Sequence, residues 1–569
     1  MHYSAPLSEP SRQPSPPFRW LKRLLAGIAV AIVVIGCVVS AARYVVLVIA
    51  RKRTEQVIVH LDQVDPGWRF EQIQAGRRVL PKAENSALTA LAVRRLLPPD
   101  WPTIRPKVPL NGQAPMEEDQ DPPIDPAIVT LFETATVPPL DTQQIDSLRV
   151  RLAALMPAIT EARKIADMPH GRYAVAWALN PLETRLPHAQ EARGTARLLK
   201  LDAILRAHDG DADGALASSR AELNVGRSLG DEPLLMTQLV RIAIESPSLR
   251  TIEHVLANGE PSDGALSAVQ GLLEDEEAQP LFRFAVRGER AALNDLYARL
   301  ASGQLNGFVK DGETSALDQW LYRQAMCIYA RGIILEEMTE AVAIADAPLS
   351  QQYELAEAWA QELGLRSSQG TLEKFSRLLL PAISPFIRSY VTSRTRLRTA
   401  IVAVAAERFR RKHGRWPESV GQLTPWPLSR VPTDPHTDGP LIWSSSEETL
   451  VIYSPGPDLV DDGGALEQDP QFSPAEASSP PRKKPYWEDK DIGFRLWDVT
   501  RRRQPPLPKP RPSEVDLPTG AVPLRSPVTN DPPPDPHLSR HFPVKDRAPC
   551  PERGHPEVNF ETPRPLPLR

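Results

Sequence analysis

The sequence predicts a mainly α-helical protein: a single transmembrane helix, a large helical domain with a repeat-like period, a small C-terminal α+β domain and a disordered proline-rich tail. Three observations predict it. Leu24–Ala42 runs for nineteen residues without a charge. Apolar residues recur at helical spacing over most of 127–414, while short alternating stretches replace them after about residue 415. The 61 prolines are about twice the usual share for 569 residues, so part of the chain lies outside any packed core. Lys and Arg (67) nearly balance Asp and Glu (71), which argues against a dedicated nucleic-acid binder. Cys37, Cys327 and Cys550 are too few for a disulfide framework and have no metal-ligand spacing.

Residues 1–18 carry five prolines and read as a disordered tail. Residues 22–50 form the expected membrane helix. Its uncharged part spans about 28 Å, close to a bilayer core of about 30 Å. It is longer than the apolar region of a cleaved signal peptide. Val34-Ile35-Gly36-Cys37 looks like a lipoprotein cleavage box, but the chain stays apolar beyond Cys37. Basic residues flank both ends, so the charge rule leaves the orientation open; the short N-terminus favours an extracytoplasmic bulk and a single-pass cell-membrane location. Residues 54–97 read as juxtamembrane helices broken at Pro66-Gly67 and Pro81. Residues 98–126 hold nine prolines and the acidic run Glu117-Glu118-Asp119, an extended loop.

The helical domain covers 127–395. Leu148, Leu152, Leu155 and Ile159 mark one helix face, and Leu198, Leu201 and Leu205 another. Breaks near Asp209–Gly214, Gly230–Pro233 and Ser246-Pro247 give helix pairs recurring at about 35 residues, the period of tetratricopeptide-like stacking. Asp209-Gly210-Asp211-Ala212-Asp213-Gly214 has the opening spacing of a calcium loop, but Arg220 stands where the closing glutamate belongs. It reads better as a polar turn with Asp213 as a helix N-cap. His170, His188, His208 and His413 show no zinc spacing. No nucleophile elbow or phosphate loop is present, so no enzyme is expected.

The region 396–503 opens with an apolar-faced helix and carries short strands at Leu441–Ser444 and Thr449–Ser454. Around them stand Arg415-Trp416-Pro417, Val431-Pro432-Thr433-Asp434-Pro435, Asp438-Gly439-Pro440-Leu441-Ile442-Trp443, Val451–Asp458, Asp461-Asp462-Gly463-Gly464 and Asp491-Ile492-Gly493. This order resembles the C-terminal domain of the type II secretion major pseudopilin, over about 100 residues. The resemblance implies a Ca²⁺ site formed by the carboxylates of Asp458 and Asp491 and the carbonyls of Pro455 and Val460. The acidic residues fit the taste of a hard cation for clustered oxygens; the alternative is a solvated acidic turn. Leu459 stands where the family has glycine, and an insert over roughly Ala465–Trp487 divides the site. No prepilin leader precedes the apolar helix, so the chain is not expected to be a filament subunit.

Residues 504–569 are the disordered proline-rich tail, with a polyproline II stretch at Pro505–Pro512 that reads as a spacer. The functional expectation is a membrane-anchored envelope protein of structural or interaction type. Its expected partners are the membrane and envelope or secretion-system proteins, with no nucleic acid and no small-molecule substrate. The alternatives are a scaffold working through the helical array and the tail, or an enzyme within the helical domain.

Overall fold

A computed structural model describes residues 19–99, 101, 140, 142–305, 327–367, 383–466 and 491–503. The two expected tails, nearly all of the acidic loop 98–126, and most of the 465–487 insert lie outside the described residues. Thirteen α-helices and one three-stranded sheet are found among the described residues.

Helix α1 (Arg19–Val64) runs unbroken for 46 residues. Pro66-Gly67 ends it, and α2 (Phe70–Gly76) and α3 (Ser86–Leu96) follow. From Ala50 onward α1 is built into the body. Arg53 pairs with Glu336, and Thr54 Oγ1 donates to Ala50 O at 2.9 Å. Leu61 is fully buried with Trp68 and Leu335.

The expected membrane helix is corrected. Among the described residues no helix is long and apolar enough to cross a membrane. The apolar run is one part of a 46-residue helix whose C-terminal part, from Ala50, is built into the body, with Leu61 buried against Trp68 and Leu335. The single-pass description, the cell-membrane location and the extracytoplasmic placement go with it.

Helices α4 (Thr142–Ala154) and α5 (Met156–Arg163) divide the stripe Leu148–Ile159 between them. All four leucine and isoleucine side chains are buried as the spacing demands, but Pro157 restarts the helix at Leu155. Helices α6 (Pro187–His208), α7 (Ala212–Arg227) and α8 (Leu235–Asn258) then pack against one another. Pro247 does not start a new helix; α8 runs through it. A mid-helix proline forfeits one backbone bond, and here buried Ile244, Ser248 and Leu249 pack α8 on both sides of it.

Helices α9 (Asp263–Glu277), α10 (Leu281–Ser302), α11 (Ile328–Asp346), α12 (Leu349–Ser367) and α13 (Ile383–His413) complete the helical body. Helix α13 is its spine. Its first half, Ile383 to Val391, shares a core with α10, α11 and α12. Its second half, Leu397 to Phe409, shares another with α7, α8, α9 and the sheet.

Strands β1 (Ile442–Ser445), β2 (Thr449–Ser454) and β3 (Ile492–Trp497) form an antiparallel sheet in that order. Leu450 opposes Leu496 and Ile452 opposes Phe494, and these four side chains enter the α13 core. β2 is buried on both faces rather than one. The stretch ending at Gly464 folds over Val451 and Tyr453, coming so close that a Cβ on Gly464 would sit 3.2 Å from the Tyr453 ring.

Candidate functional site

The acidic stretch sits where β2 ends and β3 begins. Pro455 is buried at the exit of β2 and leads into a single 3₁₀ turn, Gly456–Asp458. Asp458 is half-buried and its Oδ1 accepts from Val460 N at 3.1 Å. The Val460 side chain is exposed. Leu459 adopts φ +59°, the left-handed conformation that glycine enters most easily.

Asp491 is fully buried at the head of β3. Its Oδ2 accepts from Gly464 N at 2.7 Å and its Oδ1 from Asp462 N at 3.3 Å. Burial holds its carboxyl above the usual range, the two amides pull it down, and Asp461 and Asp462 push it further up. Asp461 Oδ1 accepts from Tyr453 Oη at 3.0 Å and from Gly463 N at 2.8 Å. Asp491 thus fastens the 462–464 turn across the sheet end.

Asp458 faces a different neighbour. His436 lies close enough that Asp434 and Asp458 both favour its charged form, while burial outweighs them and lowers its pKa. Its Nε2 is buried without a hydrogen-bond partner. Asp434 is tied into its own turn, accepting from His436 N and Thr437 Oγ1, each at 3.0 Å.

A calcium cage wants six to eight oxygens converging on one point. Among the described residues no group of three or more His, Cys, Asp or Glu side chains is placed to hold a metal ion. Asp491 accepts from the backbone amides of Asp462 and Gly464, and Asp458 from its own turn. Glu488 and Asp489 lie outside the described residues.

The Asp209–Gly214 motif is a turn whose carboxylates diverge. Asp209 takes Arg149 at 2.7 Å, Asp211 accepts from Gly214 N at 2.9 Å, and Asp213 accepts from Ser262 N at 2.6 Å. The N-cap is therefore Asp211, not Asp213. The histidines stay separate too. His188 Nε2 meets Glu232 Oε2 at 3.0 Å and its ring stacks on Tyr173, whereas His413 packs at a tilt against the Phe409 ring.

One cluster has no counterpart in the sequence reading. At the middle of α13, between its two apolar halves, Ser393 donates to Glu245, and Arg394 reaches Glu245 Oε2 at 3.2 Å and the carbonyl of Glu276 at 2.5 Å. Glu276 in turn takes Arg241 Nε at 2.9 Å and Arg227 Nη1 at 2.6 Å. All five charged side chains are almost fully buried. Burial alone would raise Glu276, but Arg241 and Arg227 outweigh it and hold it low. Glu245 stays high, because burial and Glu276 together exceed the pull of Arg394. The network joins α7, α8, α9 and α13 beside the apolar core that the same helices share. Each residue is scattered in sequence and looks like an ordinary exposed charge, so no spacing rule could have gathered them. No known protein family, no curated protein and no solved structure matches this chain.

Proposed function

We propose that the chain is a structural protein of interaction type, which presents the N-terminal half of α1 to an apolar partner surface. The supporting observation is the contrast between the two halves of that helix. Beyond the docked half, Leu24, Ile28, Ile32, Val33, Ile35 and Val38 are each between 48% and 64% exposed. Contiguous apolar surface of this kind marks an interaction site rather than a stable solvated face. Ile32 to Ile35 cover a full helical turn, so the partner encloses the helix and does not merely touch one side. The body supplies a firm mount: the ion pair Arg53–Glu336 and buried Leu61 fix the docked half against α11.

Cys37 lies within the apolar half and is exposed, whereas Cys327 is buried. The test uses the full chain carrying Cys327→Ser and Cys550→Ser, so that Cys37 is the one thiol. In the native protein, maleimide labelling of Cys37 is expected to be slow, and to reach the rate of a free thiol only after denaturation. Labelling of native Cys37 at the free-thiol rate would show the helix standing in water and overturn the reading.

A further inference from the structure

The end of α13 and the loop after it form a strongly basic surface. Arg408, Arg410, Arg411, Lys412, His413 and Arg415 fall within eight residues, and Arg430 stands on the following loop. Pro427 O, three residues before Arg430, is bonded to Gln270, whose Oε1 also takes Arg408, so the loop that carries Arg430 is anchored at this end of α13. Carboxylates offset part of this charge. Asp263 holds Arg408, Glu407 and Glu260 hold Arg410, Glu260 lies 3.7 Å from Arg411, and Glu418 lies 3.5 Å from Arg415. Lys412, His413 and Arg430 are exposed, and Lys412 lies near enough to Asp263 to help hold its carboxyl below the ordinary range, behind Arg408.

A basic last turn complements the carbonyl end of its helix. Arg415 and Arg430 lie outside the helix, so that explanation does not cover them. Nucleic acid is also a poor fit, because base stacking needs open aromatic faces. The two indoles here are already faced by cations. Lys412 Nζ sits 4.0 Å from the Trp426 ring centre with Arg408 at 5.5 Å, and Arg410 sits 5.5 Å from that of Trp416. What remains on offer is positive charge on a rigid base, which suits carboxylates.

The chain carries a segment of the opposite character. From Val108 to Leu148 there is no Lys or Arg, while Glu117, Glu118, Asp119, Asp121 and Asp125 stand within nine residues. The described chain stops at Trp101, whose Nε1 donates to Gly194 O at 2.8 Å, and resumes at Leu140. From Gly194 the C-terminal end of α6 is about 21 Å away along the helix axis. That end adjoins the basic surface, since Asp213 just beyond it accepts from Ser262 N, and Asp263 next to Ser262 holds Arg408. α4 reaches the same end through Arg149–Asp209. Fifteen residues lie between Trp101 and Glu117 and fourteen between Asp125 and Leu140, each able to span about 50 Å. Both sides of the segment therefore have enough chain to reach.

We propose that the basic surface formed by Lys412, Arg415 and Arg430 is the docking site for the acidic segment 117–125 of the same chain. The contact is electrostatic and intramolecular. The test is zero-length carbodiimide crosslinking of the full chain, which joins a lysine amine to a carboxylate in direct contact, read by mass spectrometry. Lys412 is expected to link to carboxylates in 117–125, with the yield falling several-fold in about 1 M salt, where charges are screened within about 3 Å. Arg415→Glu with Arg430→Glu should lower the yield similarly; both sites are exposed, and circular dichroism confirms the fold. Mixing ¹⁴N and ¹⁵N protein identifies the source. A link confined to one isotope supports the proposal, and mixed-isotope links would overturn it in favour of a second copy. Links from Lys412 only to body carboxylates such as Glu260 or Glu418 would overturn it as well.

Discussion

Arg502 grips Glu407 with two nitrogens across 95 residues of sequence: Nη1 to Oε1 at 3.0 Å and Nη2 to Oε2 at 2.8 Å, both side chains buried. Arg502 follows β3 and Glu407 lies near the end of α13, so one ion pair fastens the sheet to the helical spine. Arg502 Nη1 also donates to Gly259 O at 2.9 Å, and Arg503 N to Ala257 O at 3.1 Å, closing the C-terminal end of α8. Removing one partner of a buried pair strands the other. Arg410 still holds Glu407 at 2.7 Å, which limits the damage. Arg502→Ala is therefore expected to cost about 2–3 kcal/mol in urea unfolding at pH 7. Burial would raise Glu407, but Arg410 and Arg502 hold it below its ordinary value. The contribution is thus full above the unfolded pKa and fades as pH falls through the folded one. The wild-type advantage over the variant should shrink in acid. An advantage that is flat from pH 7 to pH 3 would show that the pair is not what Arg502 contributes.

Glu289 gives the opposite pH signature. Its carboxylate accepts from Leu235 N at 2.9 Å, closing the N-terminus of α8 from α10. Burial pushes its pKa up to about 7, against the pull of that one amide. A carboxyl raised on folding binds its proton more tightly in the native state. Its contribution is greatest below the unfolded value near 4.5 and is lost as pH rises through about 7. Glutamine keeps the acceptor without the charge. Glu289→Gln is expected to unfold at a higher denaturant concentration than wild type at pH 8, by on the order of 1–2 kcal/mol, and to converge with it near pH 4. A variant less stable at pH 8 would mean that the charged form is the one the fold uses.

The helical architecture is legible because apolar spacing records burial directly. Leu148, Leu152, Leu198 and Leu201 are each at or near zero exposure, as their stripes require. The hairpin around Ser445–Thr449 is legible for the same reason in period two. Breaks are read less well. Pro157 and Pro247 are the same residue type, yet one restarts a helix and the other is absorbed, because packing around α8 outweighs the lost bond. The membrane reading counted uncharged residues, whereas no described helix is long and apolar enough to cross a membrane and α1 continues into the body. At the sheet end the acidic residues are where the sequence puts them, but their directions are not in the sequence. Asp491 turns inward to amides while Asp458 faces His436. The buried network around Arg394 was invisible, since charged residues far apart in the chain carry no periodic mark.

Leu459 offers the sharpest local test at that sheet end. It holds φ +59° with its side chain 61% exposed, so the leucine gains little burial in exchange for an unfavourable backbone conformation. A left-handed residue with a Cβ costs about 1 kcal/mol relative to glycine, and glycine loses part of that gain through the greater freedom of the unfolded chain. Leu459→Gly is therefore expected to raise stability by about 0.5 kcal/mol, with Asp458 Oδ1 still accepting from Val460 N. Leu459→Val should do the reverse, because a β-branched side chain tolerates positive φ least. Thermal melts of the two variants decide the matter as a pair. If both shift the same way, the backbone at 459 is not strained and the turn relaxes around whatever residue it is given.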